Sequence, residues 1–199
     1  MSHQEPVAAN TYFDRHLNME AVKILPGEYF ATTRDLVVVT VLGSCVSVCL
    51  RDRRSGIGGM NHFMLPGNDE HSPVSMSARY GVYAMEMLTN QLLKLGADRR
   101  QFEAKIFGGA NVLSGLTMAN VGPRNAQFVT DYLVTERIPI VASSLLDIYP
   151  RKVYFFPASG RVLLKTLKQL HNSTLLEREA EYSLRIRQQQ GGGGDVDLF

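Results

Sequence analysis

From Leu36 to Leu50 almost every residue is apolar or β-branched, and the run breaks only at Gly43-Ser44 and at Ser47. A strand with one face in water alternates apolar and polar residues, and this segment does not. It predicts two strands, joined at a Gly43-Ser44-Cys45 turn, that lie in the middle of a core. Asp52-Arg53-Arg54-Ser55 then reads as a tight turn. Residues 57–65 read as the partner strand, stopped by Pro66-Gly67.

The same arrangement places two chemically useful side chains near each other. If a two-residue loop closes on Asp52 and Ser55, Cys45 falls directly opposite His62. Opposed residues point to one face with their Cβ atoms about 4.5–5.5 Å apart. A thiol and an imidazole at that range share a proton, as a nucleophilic cysteine requires. Gly58-Gly59 offers a second outcome, because paired glycines often mark a bulge that turns His62 away. In that case Cys45 is a small buried hydrophobe and His62 an ordinary strand residue.

Composition narrows the class. A chain of 199 residues can form one well-cored domain with tails. Its formal charge of +2 and lack of a long basic block give no expectation of nucleic acid or an anionic membrane as partner. Apolar runs stay short of spanning length, so membrane insertion is not expected. Met1-Ser2-His3-Gln4-Glu5-Pro6 lacks an export pattern, and a cytoplasmic location is expected. Two cysteines, Cys45 and Cys49, suit a reducing compartment. At i and i+4 of one strand they stand about 13 Å apart and do not bridge. Neither a CxxC nor an HxxxH pair is present, so no metal site or cofactor is expected.

Along the chain, residues 1–21 read as a flexible N-terminal arm and 22–168 as one domain of mixed α and β structure. Tyr29-Phe30-Ala31 begins a short strand. Residues 67–75 read as a surface loop. From Met76 to Leu95 the spacing of Tyr80, Ala84, Met87, Leu88, Gln91, Leu92 and Leu95 predicts a helix ended by Gly96. Strand Ala104–Phe107 runs into Gly108-Gly109-Ala110, and Pro123 opens a second helix to about residue 136. A strand from Ile138 to Ala142 is interrupted at Tyr149-Pro150-Arg151 and resumes at Val153–Phe156; another spans Val162–Leu167. Residues 169–199 read as a helical extension, Leu175 to Arg187, with a flexible glycine-rich tail.

Several motifs together resemble one family, the CheD chemoreceptor glutamine deamidases. They are Pro26-Gly27-Glu28-Tyr29, Thr40 through Leu50 with Leu42-Gly43-Ser44-Cys45-Val46 at its centre, and Gly58-Gly59-Met60-Asn61-His62-Phe63-Met64-Leu65-Pro66. Lys105-Ile106-Phe107-Gly108-Gly109-Ala110, Gly122-Pro123-Arg124-Asn125 and Arg151-Lys152-Val153 continue the likeness over most of residues 24–168. The resemblance implies a mixed α+β fold, a β-sheet sandwich flanked by helices, similar to the cytotoxic necrotizing factor catalytic domain. It implies Cys45 as nucleophile, His62 as base and a threonine just upstream of the cysteine as third member. Thr40 fills that place, with Ser44 as the alternative. Ser143 through Pro150 departs from the family, where a glycine-rich turn is expected.

The activity so implied is protein-glutamine glutaminase chemistry on methyl-accepting chemotaxis receptors, through a cysteine thioester and without cofactor or metal. The thioester could also pass to a lysine amine, as in a transglutaminase. The competing expectation is a non-catalytic regulator that binds receptors or a CheC-type phosphatase, since a fold does not fix function.

Overall fold

The computed structural model describes residues 10–66, 74–112, 120–168 and 173–191. Ten strands form two five-stranded sheets. The first sheet contains β1 (Asn10–Asp14), β2 (Met19–Lys23), β4 (Val37–Leu42), β9 (Arg151–Phe156) and β10 (Arg161–Thr166), in that spatial order. The second runs β3 (Tyr29–Thr32), β6 (Gly58–Asn61), β5 (Val46–Asp52), β7 (Phe102–Gly108), β8 (Ile140–Leu145). Three helices complete the fold: α1 (Val74–Lys94), α2 (Val121–Thr135) and α3 (Ser173–Gly191).

The unbroken apolar run of the sequence takes up the position its composition demands. Val38 and Leu42 of β4 face Cys49 of β5, Met60 and Met64 across the inter-sheet core, where Val153 and Phe155 join them. The opposite face of β5, with Val46, Val48 and Leu50, packs on Met85, Leu88 and Leu92 of α1 and on Val129 and Leu133 of α2. β5 is therefore covered on both sides, and apolar residues occur on both of its faces rather than at every second position. This is a mixed α+β sandwich with helices flanking it, as the sequence leads one to expect.

Four local expectations change. Residues 10–23, placed largely in a loose arm, pair as the hairpin β1–β2, with Tyr12 opposite Ala21. That hairpin is polar in sequence, and its order comes from parallel pairing of β2 on β4. The interrupted strand of 138–156 is two strands in different sheets: β8 pairs parallel with β7, while β9 pairs antiparallel with β4. The partner strand expected over 57–65 shortens to β6, because the chain leaves regular pairing after Asn61. Of the loop expected at 67–75, residues 67–73 lie outside the described residues and Val74 already begins α1. The tail beyond residue 191 also lies outside them.

The turn after β5 sets the register beside the site. It closes on Asp52 and Ile57, through Asp52 N–H to the Ile57 carbonyl at 2.8 Å, rather than on Ser55. The Asp52 carboxylate accepts the Arg54 and Ser55 N–H groups, and Gly56 takes a φ of +77° that a glycine adopts freely. The loop is thus four residues long. Gly58 and Gly59 pair regularly with Arg51 and Leu50, without a bulge.

Candidate active site

The longer turn moves the hairpin partners by two. With Cys49 opposite Met60 and Val46 opposite Phe63, His62 lies opposite Ser47, and Cys45 lies opposite Met64. Cys45 and His62 are diagonal neighbours instead of a directly opposed pair. Both are buried, and they are not hydrogen-bonded to each other: His62 Nε2 has no hydrogen-bond partner.

Thr40 is the residue that meets the imidazole. Its Oγ1 lies 2.8 Å from His62 Nδ1 and 2.9 Å from the Ile24 carbonyl oxygen. A carbonyl only accepts, so the threonine proton goes to Ile24 and the Thr40 oxygen accepts from Nδ1–H. That tautomer leaves Nε2 with a free lone pair. Burial lowers the His62 pKa from 6.5 to about 3, which keeps the ring neutral near pH 7. The ring is held in place by the main chain, His62 N–H donating to Glu28 O at 2.9 Å and Gly27 N–H to His62 O at 2.8 Å. Asn61 fixes the departure from β6: its Oδ1 accepts the Val48 N–H at 2.9 Å that regular pairing would have used.

The segment Gly43-Ser44-Cys45 is pinned along one side. Its three carbonyls accept from Ala110 N–H at 2.8 Å, Asn125 Nδ2 at 2.8 Å and Gly109 N–H at 2.8 Å respectively. In a trans peptide the N–H points opposite to the C=O of the same unit. Gripping the Gly43 and Ser44 carbonyls therefore aims the Ser44 and Cys45 N–H groups to the other side. There they meet one side chain, Glu179 of α3. Its Oε1 accepts from Gly43 N at 2.9 Å and Cys45 N at 3.3 Å; its Oε2 accepts from Ser44 N at 3.0 Å and Ser44 Oγ at 2.6 Å. A side chain at Gly43 would put Cβ 2.8 Å from Oε1, so only glycine lets a carboxylate come this close.

Ser44, the alternative third member, thus turns to Glu179 and not to His62. The Cys45 thiol also faces Glu179. Burial first, then the charge and hydrogen bond of that carboxylate, push the thiol pKa well up. Burial also raises the pKa of Cys49, in the inter-sheet core, against the opposing charge of Lys105. Neither cysteine is bonded to the other.

The family described as CheD, chemotactic sensory transduction, matches residues 64–166. A protein of Methylobacillus flagellatus named probable chemoreceptor glutamine deamidase CheD is 62% identical over 98% of both chains. One of Shewanella oneidensis, named probable chemoreceptor glutamine deamidase CheD 1, is 60% identical over 96% of this chain and 93% of its own. The chain belongs to the CheD family. A protein of Thiobacillus denitrificans named probable chemoreceptor glutamine deamidase CheD is 59% identical over 98% of this chain and 98% of its own. Among solved structures, the hypothetical protein YfiH of Bacillus licheniformis covers 60% of this chain and 51% of its own at 17% identity. Its TM-score of 0.37 is too low to bear on fold or activity.

In the CheD chain, sequence alone singles out Cys45, His62 and Thr40, but not Glu179. Glu179 lies 134 positions from Cys45, on a helix whose other charges face solvent. One signal was present: Leu175, Glu179, Tyr182 and Ile186 share a helix face, and Glu179 is the polar member of an apolar stripe. No helix among the described residues is long and apolar enough to cross a membrane.

Proposed function

We propose that this chain is a protein-glutamine deamidase that converts chemoreceptor glutamines to glutamates, with Cys45 as nucleophile, His62 as base and Thr40 as the residue that orients the base. The observation that carries the reading is the state of His62: Nδ1–H is held by Thr40, and Nε2 is buried with no partner. A buried nitrogen left unpaired costs stability, and a catalytic role is one reason for a fold to keep it.

The chemistry follows from these atoms. Nε2 takes the Cys45 proton, and the thiolate attacks the side-chain carbonyl carbon of a glutamine. The resulting oxyanion is received by the N–H groups that cradle Glu179, which are fixed before substrate arrives. The protonated ring then gives its proton to the departing ammonia, leaving a glutamyl thioester. Water, deprotonated by Nε2, hydrolyses the thioester to glutamate and restores the thiol. Each turnover adds one negative charge to the receptor and changes the repulsion between its neighbouring helices. Action on receptors' intracellular portions implies a cytoplasmic enzyme.

The test is mass spectrometry of a receptor cytoplasmic fragment incubated with wild type and with Cys45→Ala. Conversion of amide to acid adds about 1 Da at defined glutamines, and the thioester route requires Cys45 for it. Gain with both proteins would refute Cys45 as nucleophile. No gain with wild type, alongside measurable receptor binding, would favour a binding regulator.

A further inference from the structure

The carboxylate on the Cys45 cradle belongs to the chain itself. We propose that α3 is a built-in cover of the active site, which seats Glu179 where the product glutamate of the reaction rests and must leave before substrate enters.

Three independent features carry this. The first is chemical identity. Glu179 is fully buried, and no ion pair among the described residues neutralises it. A buried carboxylate is tolerated only where hydrogen bonds replace its water. Here three backbone N–H groups and the Ser44 hydroxyl do so. The same donors suit the oxyanion of the reaction and the carboxylate that deamidation leaves. Glutamate is that product, side chain for side chain; its role as product mimic rests on the deamidase function proposed above.

The second is coverage of the base. Tyr182, one turn beyond Glu179, lines the small cleft that reaches His62. Its hydroxyl lies 2.5 Å from the Tyr80 hydroxyl, and its ring packs so closely on Gly27 that a Cβ there would come within 2.8 Å. Nucleophile and base are thus closed by one helix.

The third is how lightly the helix is held. Its buried face offers three apolar side chains, Leu175, Tyr182 and Ile186, around the polar Glu179 and Ser183, while Glu177, Arg178, Glu181, Leu184, Arg185 and Arg187 are exposed. No α3 residue contributes to either sheet, and among its described side chains Tyr182 and Ile186 alone join the inter-sheet core. A helix of this kind can depart while the sandwich stays closed. The raised Cys45 pKa agrees with a resting state, since the carboxylate beside it opposes the thiolate.

Two readings of the full-length chain test the proposal. The first is iodoacetamide labelling of Cys45, with Cys49 as internal reference, in Glu179→Ala and Ile186→Asp. Ile186→Asp decides, because it loosens the helix and leaves the Cys45 cradle and the Glu179 carboxylate intact. Cys45 labelling should rise about tenfold or more, because the apolar burial of Ile186 that holds the helix is lost. Labelling at the wild-type rate in Ile186→Asp would overturn the cover. The second is Glu179→Gln, which places a substrate side chain in the seat. Cys45 Sγ bonds to Cδ of the introduced amide, and the Cδ–N bond breaks as ammonia leaves with the His62 proton. Water then hydrolyses the thioester and restores Glu179. Peptide mass should show the amide at position 179 converted to the acid, but unconverted when Glu179→Gln is combined with Cys45→Ala. An amide that persists at position 179 in a preparation that deamidates a receptor fragment would overturn the product seat. Faster Cys45 labelling without any deamidation, at position 179 or of receptor, would leave the cover standing and remove the deamidase reading.

Discussion

Thr40 Oγ1 accepts from the imidazole and donates to the Ile24 carbonyl, so replacing it with valine keeps the shape and removes both bonds. The freed ring can then carry its proton on Nε2, where it cannot act as base. Thr40→Val is expected to lower kcat by about 100-fold or more, the usual range for losing base catalysis. Two buried groups lose their partner, so stability should also fall by about 1–3 kcal/mol. Thr40→Ser should recover most of both, measured by turnover and by urea unfolding. His62 adds a pH signature. Its native pKa of about 3 lies below the unfolded value of 6.5, so between these the unfolded chain binds a proton that the native one does not. The contribution is complete above pH 6.5 and is lost as pH falls toward 3, at about 1.4 kcal/mol per pH unit. Urea midpoints of wild type and His62→Gln should therefore converge over that window as the solution is acidified; parallel curves would mean that the ring is not buried neutral. At this scale the sequence is informative where side-chain chemistry is distinctive. Cys45, His62 and Thr40 stand out as types, whereas Glu179 looks like any solvated helix charge until tertiary structure removes its water.

Among elements, α2 has a task beyond packing. Its second turn opens with Asn125, which is fully buried and spans two chain segments: Nδ2 donates to Ser44 O, and Oδ1 accepts from Leu65 N, each at 2.8 Å. The Ser44 carbonyl and the Cys45 N–H belong to one peptide plane, so holding the first aims the second. Asn125→Ala leaves a buried carbonyl and a buried N–H unpaired, at about 2–4 kcal/mol in total. The lost aim should appear in kcat more than in KM, because the oxyanion that needs this donor forms after binding. An equal rise in KM with kcat unchanged would contradict the assignment. Elements themselves are largely legible from pattern: α1 follows its 3.6-residue period, Pro123 marks the start of α2, and the unbroken apolar runs of β4 and β5 mark strands covered on both faces. Two features are not. The hairpin register turned on Asp52 capping its own loop and on Gly56 accepting positive φ, which lengthened the turn by two residues. β8 and β9 are sequence neighbours in different sheets, and local pattern carries no record of which sheet a strand joins.

For the molecule as a whole, the two thiols report on two different openings. Cys49 sits in β5, central in its sheet, in an inter-sheet core where Tyr182 and Ile186 of α3 lie beside Val38, Met60 and Phe155 of the sandwich; with the helix gone the paired sheets still enclose it. Cys45 immediately precedes the same strand, beneath α3, and a departing helix uncovers it while both sheets remain paired. Opening reactions that expose little surface depend weakly on denaturant, and global unfolding depends on it steeply. Under native conditions, labelling of Cys45 should be the faster and change little between zero and low urea. Labelling of Cys49 should be slow and accelerate with the full equilibrium slope. Separate quantification of the two cysteine peptides across a urea series measures both at once. If the two rates rise together with the steep slope, α3 is an integral part of the cooperative unit, and substrate must reach Cys45 by another route. If they separate, the sandwich is a fixed frame with one removable helix, and the equilibrium of that helix sets the fraction of molecules able to act.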